Sequence, residues 1–532
     1  MGDGGFGLSA TDVIVMAGYA LVILGLGWWV SRQPAGHTQT SADYFLAGRA
    51  LPWWAIGASL IAANISAEQI IGQSGQGFVV GLAIAAYEWQ AALVLLIVAK
   101  FFLPIFLARG ISTMPQFLDQ RFGGGVKTLM SVYWIVLYTA VNLTTVLWLG
   151  GLAAGTLTGL PVMVCMLGLA GFAILYSLGG GLKAVALTDL VQVVVLVLGG
   201  LGLTWLSLTL VGGDGGAGAG LSRLMGELPG HFRMILSEDH PAYVNLPGIW
   251  TLLGGLWVLH FSYWGFNQYI IQRALGASSI AEAQQGLVFA AFLKLLIPVF
   301  VVLPGIAAVV LAAEGKLGDV DLATRPDGVY GALMVLAPEG LRGLVFAALV
   351  AAIVSSLASM VNSIATIFTL DLYRPARPNR TETHYVRIGQ LTALVAMGIA
   401  LALAEPFLSG AASGFQAIQE YTGFIAPGVV AVFLFGLFWQ RATTEGAVVM
   451  LVASVGLNLA LKFGLPDLPF IIRIWVVFLG CLLAGAVASV MTRAEPARGV
   501  DLSAISFRTS PAFNLGALAV TGALVGLYAL FW

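Results

Sequence analysis

Residues 59–77 read SLIAANISAEQIIGQSGQG. They lie within an apolar run, 53–79, long enough to cross a bilayer, yet they carry Asn64, Ser66, Glu68, Gln69, Gln73 and Gln76. Hydrocarbon penalises unsatisfied polar groups, so non-helical backbone at membrane depth survives only where it is buried in protein or lines a cavity. Asn64, Ser66 and the glycines at 72, 75 and 77 weaken the helix midway. Gln69, Gln73 and Gln76 recur at i, i+4 and i+7, which sets them on one helical face. Side-chain amides also hold membrane helices together where there is no site. Three on one face beside a break favour the alternative, the interrupted span with which secondary transporters build a midplane site.

The rest of the chain supplies the membrane context. Of 532 residues, 59% are hydrophobic and only 9% charged. A soluble chain is about 25% charged, so this composition implies a polytopic membrane protein, all-α. About fourteen apolar spans are expected, at 9–30, 53–79, 82–109, 126–156, 160–180, 186–211, 248–270, 284–313, 340–372, 386–405, 413–437, 444–464, 470–492 and 510–531. The first run reads as a span, not a cleaved leader. If the N-terminus lies outside, about fifteen of the 24 Lys and Arg residues fall on the cytoplasmic side, Arg374, Arg377 and Arg380 among them. An even span count then returns the C-terminus to the outside. A net charge of −1 gives no electrostatic case for nucleic acid. Cys165 and Cys481 sit in apolar runs and read as small buried hydrophobes. The five histidines form neither a metal-spaced cluster nor a nucleophile–base arrangement, which argues against an enzyme.

Ionisable groups at depth sharpen the case for a site. Lys294 lies ~15 Å into its span at 1.5 Å per residue, and Glu88 about a turn and a half into its own. Each costs at least ~2.5 kcal/mol at mid-depth, so such groups face a wet cavity or one another. They enter from opposite sides and are expected to share a chamber, either as an ion pair locking the bundle or as hydrogen-bonding partners for a polar neutral solute. His260, Ser262, Tyr263, Trp264 and Asn267 cluster in HFSYWGFNQY, too deep for an interfacial aromatic belt. A flat ring there can cover the C–H face of a sugar; His260 alone reads equally as a core histidine. VSSLAS, 354–359, puts hydroxyls at Ser355 and Ser356, which either bond back to their own helix or offer oxygens to a cation such as sodium. Asp189, near the start of 186–211, reads as a helix cap or a functional carboxylate. Gln419 and Glu420 fall inside 413–437.

Long composite motifs then carry a resemblance. SADYFLAGRALPWWAIGASLIAANISAEQ, GLAIAAYEW, ALTDLVQ, YWGFNQYIIQRAL, LVAAIVSSLASMVNSIATIFTLDLY and GFQAIQEYTG resemble the solute:sodium symporter family, in its sodium/glucose cotransporter branch, over nearly the whole chain. The resemblance implies a LeuT-type core of two inverted five-helix repeats, 53–211 and 248–437, with 9–30 and 444–531 peripheral. It implies sodium as the coupling ion and no other cofactor. Sodium would be held by the carbonyls of Ala62, Ile65 and Ala352 and the hydroxyls of Ser355 and Ser356, with Asp189 on its exit route. A sugar would meet Asn64, Gln69, Glu88, His260, Lys294 and Gln419. Tyr263 would stack on the ring as inner gate, backed by Trp264, and Gln73, Tyr87 and Phe415 would form the outer gate.

Departures from the galactose-carrying bacterial members fall at the chamber. Those have a methionine at the position of Gln73, a serine at Ala91 and an asparagine at His260. Two-sodium members have a threonine where Ala358 stands, so one sodium per sugar is expected. The implied activity is symport of a glucose- or galactose-like monosaccharide by alternating access, in a bacterial inner membrane. The alternatives are another polar solute (an inositol, a sialic acid or an amino acid) or an uncoupled sugar sensor of the same architecture.

Overall fold

The computed structural model describes residues 8–32, 39–318, 322, 324–408, 414–492 and 499–532. Each of the fourteen expected runs contains helix. Among the described residues, ten helices are long and apolar enough to cross a membrane alone. Two further spans are pairs bent at a break: Trp53–Asn64 with Glu68–Val79, at 64°, and Pro241–Leu253 with Leu256–Gly265, at 78°. The remaining two are shorter apolar helices, Val162–Leu178 and Ala426–Phe438.

The broken second span is the centre of the bundle. It packs along the eighth, Ile280–Ala313, and the contact is backbone to backbone. A Cβ on Gly305 would stand 2.0 Å from the Ser74 carbonyl oxygen, and one on Gly77 2.6 Å from that of Val302. Gly77, and Gly75, whose Cβ would stand 2.5 Å from the Pro326 carbonyl oxygen, therefore serve close packing and do not make the break, which falls at residues 65–67. The helix ends at Asn64, Ile65 turns extended (φ −75°, ψ 102°), and the chain resumes as a π-helix over Glu68–Gln73.

Behind this pair lie the sixth span, Gly180–Glu227, and the ninth, Leu341–Ala376, packed against each other. The fifth and sixth spans, Val162–Leu178 and Gly180–Glu227, meet at a kink at Gly181, whose φ of +55° and 2.2 Å approach of a Cβ to the Tyr44 carbonyl oxygen exclude larger residues. Asp189 sits two turns beyond this kink, with a fully buried side chain. Its reading as a first-turn cap is thereby corrected, because the helix it was taken to start is already under way. Peripheral helices explain the exposed apolar surface: Pro511–Leu530 and Ala10–Ser31 turn leucines, valines and tryptophans outward, as a lipid-facing surface requires. Cys165 and Cys481 are buried and free.

Candidate functional site

The break builds its own cap. A helix start leaves orphan N–H groups. Here the Ser66 N–H and hydroxyl both donate to Gln69 Oε1, at 3.0 and 2.7 Å, and the Glu68 N–H donates to Ser66 Oγ at 3.2 Å. The Gln69 amide nitrogen donates to Glu68 Oε1 at 3.0 Å. Gln69 is thus engaged by the break through both ends of its amide, while Glu68 keeps one carboxylate oxygen without a partner among the described residues.

A polar cavity lies beside this break. A chain of hydrogen bonds crosses it. Gln73 Nε2 donates to Glu88 Oε1 at 2.6 Å. Lys294 Nζ donates to Glu88 Oε2 and to Asn64 Oδ1, and stands 4.8 Å from the centre of the Trp264 ring. Asn64 Nδ2 donates to the Tyr263 hydroxyl at 3.1 Å, which also accepts from Tyr269 at 2.8 Å. Four spans are joined this way, and the two deep charges neutralise each other (Lys294 is 1% exposed and Glu88 2%).

Of the residues expected to meet a sugar, Asn64, Gln69, Glu88, His260, Tyr263, Trp264, Lys294 and Gln419 all line this cavity. Gln73 and Tyr87 line it as well, whereas the side chain of Phe415 lies outside the described residues. Gln76 faces an adjoining smaller cavity with Ile84, Tyr87 and Asn245. Glu420 points away, to Lys462 and Arg473. Glu68 and Asn142 line the chamber too, each with an unpartnered oxygen. Neither is among the residues the resemblance assigns. Their signal in the sequence is a carboxylate at a helix break and a lone amide in the apolar run 126–156.

On the other side of the break, Ser356 Oγ donates to the Ala63 carbonyl at 3.0 Å. Ser355 Oγ donates to Asp189 Oδ1 at 2.6 Å. A hydroxyl that donates its proton keeps lone pairs for a cation, so neither bond conflicts with sodium ligation. Asp189 also accepts from Ser59 and lies 3.7 Å from the Arg273 guanidinium. Arg273 in turn donates to Ser59 Oγ at 2.6 Å, to the Tyr269 carbonyl and to Ser359 Oγ. The carboxylate is enclosed by this network.

Two interrupted helices meeting around a buried polar chamber, with an oxygen-rich ledge beside the break, define a secondary transporter. Solved structures carry the same architecture. A sodium-coupled sialic acid symporter in a substrate-bound outward-open state superposes with a TM-score of 0.80 at 22% identity, over 91% of this chain and 98% of that one. A nucleobase-cation-symport-1 family transporter gives 0.51 at 14% identity, over 90% and 99%. The fold is the LeuT type.

The chain belongs to the sodium:solute symporter family, which matches residues 44–453. It is 50% identical to a sodium/glucose cotransporter of Vibrio parahaemolyticus, over 99% of both chains. It is 34% identical to human sodium/glucose cotransporter 4, over 87% of this chain and 71% of that one. It is 33% identical to pig sodium/myo-inositol cotransporter 2, over 86% and 70%. It is a multi-pass membrane transporter, not an enzyme.

Proposed function

We propose that this protein imports a neutral monosaccharide, glucose- or galactose-like, with one sodium ion per sugar, by alternating access. The observation that carries the reading is the shared break. Asn64 reaches into the chamber and bonds Lys294 and Tyr263. The adjacent Ala63 carbonyl takes the hydroxyl of Ser356. Sodium on the carbonyls of Ala62, Ile65 and Ala352 and the hydroxyls of Ser355 and Ser356 orders the backbone from which Asn64 meets the sugar. A ligand shifts a conformational equilibrium by its differential affinity for the two states, and this segment is where both ligands act. Glu88, Lys294, His260 and Gln419 then take hydroxyls, Tyr263 closes the inner side with Trp264 behind it, and Gln73, Tyr87 and Phe415 close the outer side. One cation gains about 2.3 kcal/mol per 100 mV, enough for an uphill gradient above about tenfold.

Two further parts of the reading rest on the same features. Breaks in the second and seventh spans, the first helices of 53–211 and 248–437, support the inverted repeats. Ala358, fully buried and without a hydroxyl, supports a single sodium. The membrane is a bacterial inner membrane, the basic residues favour both termini outside, and Asp189 lies on the sodium exit route. An anionic guest is disfavoured: Lys294, the cationic side chain among the described lining residues, is already matched by Glu88. The test is radiolabelled uptake into proteoliposomes over a panel of hexoses, myo-inositol, sialic acid and amino acids, with and without an inward sodium gradient. Accumulation of a hexose only with the gradient is expected. Accumulation of an acid or amino acid in its place rejects the sugar, and a reversal potential giving two sodium ions rejects the stoichiometry.

A further inference from the structure

Resting on that reading, we infer that Gln73 and His260 make the chamber a reader of hydrogen-bond donors, selecting its guest by O–H groups that point at these two acceptors. Among the residues that line the cavity, four buried atoms lack a partner among the described residues: Glu68 Oε2, Gln73 Oε1, Asn142 Oδ1 and His260 Nε2. Three are amide or carboxylate oxygens, which accept, and the fourth is an imidazole nitrogen, which accepts when unprotonated. For Gln73 the chemistry fixes the assignment. The Gln73 amide faces a carboxylate, which only accepts, so its NH₂ turns to Glu88 and its oxygen turns away. His260 Nε2 has no partner among the described residues, and we take it as the unprotonated ring nitrogen, which offers a lone pair. Lys294 directs its protons to Glu88 and Asn64 and its remaining charge to the Trp264 face.

A buried acceptor left empty is costly, so a guest that fills it is favoured over one that does not. The substrate class is therefore a neutral polyol that donates at these positions, and an acid sugar, whose carboxylate would meet Glu88 while Lys294 is already paired, is disfavoured. Fluorine separates donor from acceptor, because a deoxyfluoro sugar keeps the size and polarity of the hydroxyl but cannot donate.

The test uses the full-length protein in proteoliposomes and the best-transported parent hexose, with its deoxy and deoxyfluoro analogues at each ring carbon as competitors. At one carbon or more, the deoxy and deoxyfluoro analogues should compete equally poorly, about tenfold or more below the parent. That discrimination should collapse to about twofold in Gln73→Met or His260→Phe, and His260→Gln, which restores an acceptor, should recover it. The corresponding hexuronate should not compete. The inference is overturned if every deoxyfluoro analogue competes as well as the parent, if the hexuronate competes, or if discrimination persists unchanged in both variants. Each of these leaves sodium-driven hexose uptake intact, whereas absence of uptake for every hexose rejects the sugar reading itself.

Discussion

Lys294→Met removes the cation at the centre of the chamber, and the structure sets the size of the consequence. Glu88 then keeps only the Gln73 amide as a partner among the described residues, in a site where it is 2% exposed. Breaking a buried pair from one side costs about 3–5 kcal/mol, because the surviving charge is left uncompensated. Glu88→Gln strands Lys294 against Asn64 and a neutral amide, and a cost of the same order is expected, lessened by whatever fraction of the lysine deprotonates. Replacing both partners removes both charges, and such replacements are often neutral or stabilising. The double variant should therefore be more stable than either single one, with a coupling energy of about 3 kcal/mol. Denaturant titration in micelles, read by tryptophan fluorescence, measures all four corners of the cycle. Uptake should separate from stability: the double variant folds but has lost both a donor and an acceptor for the sugar, so its apparent affinity should fall by about a hundredfold. Costs that simply add in the double variant refute the direct pair. A double variant that transports with undiminished affinity refutes the role of these residues in holding the guest.

Three more outcomes follow from named contacts. Ser356→Ala deletes the hydroxyl that bonds the Ala63 carbonyl; sugar affinity, measured by uptake against sodium concentration, should become independent of sodium, and unchanged dependence places the ion elsewhere. Arg273→Gln leaves Asp189 buried without its cation and should destabilise by about 3 kcal/mol, while adding Asp189→Asn should recover part of that loss in the same denaturant assay. Gly305→Ala forces a methyl group onto the Ser74 carbonyl, 2.0 Å from an ideal Cβ. It should cost roughly 1–3 kcal/mol by prising the eighth span off the second, visible as a lowered midpoint of unfolding, and a neutral effect contradicts the close packing.

Much of this architecture is local and hence legible in the chain. Each span is a run of apolar residues as long as the bilayer is thick, a length set by helix rise alone. The break after Asn64 is announced by Asn64 and Ser66, whose side chains compete for backbone hydrogen bonds. The depth of Glu88 and Lys294 follows from counting residues into their spans, and the cost of isolated charge brings them together.

What the chain leaves open is how each polar group divides its bonds. Gln69 has the spacing of a chamber residue, yet its amide closes the cap on Ser66 and turns the free oxygen of Glu68 to the cavity. Asp189 and Ser355 lie 166 residues apart; their bond exists because the sixth and ninth spans pack side by side, and no local pattern encodes that register. The glycines at 75 and 77 read as helix breakers and prove to be contact points, since only the neighbouring helix decides whether a missing side chain is a weakness or a fit. Hydropathy and helix propensity act along the chain and fix the spans, whereas hydrogen-bond partners are chosen across it, among groups that only the packed bundle brings within three ångströms.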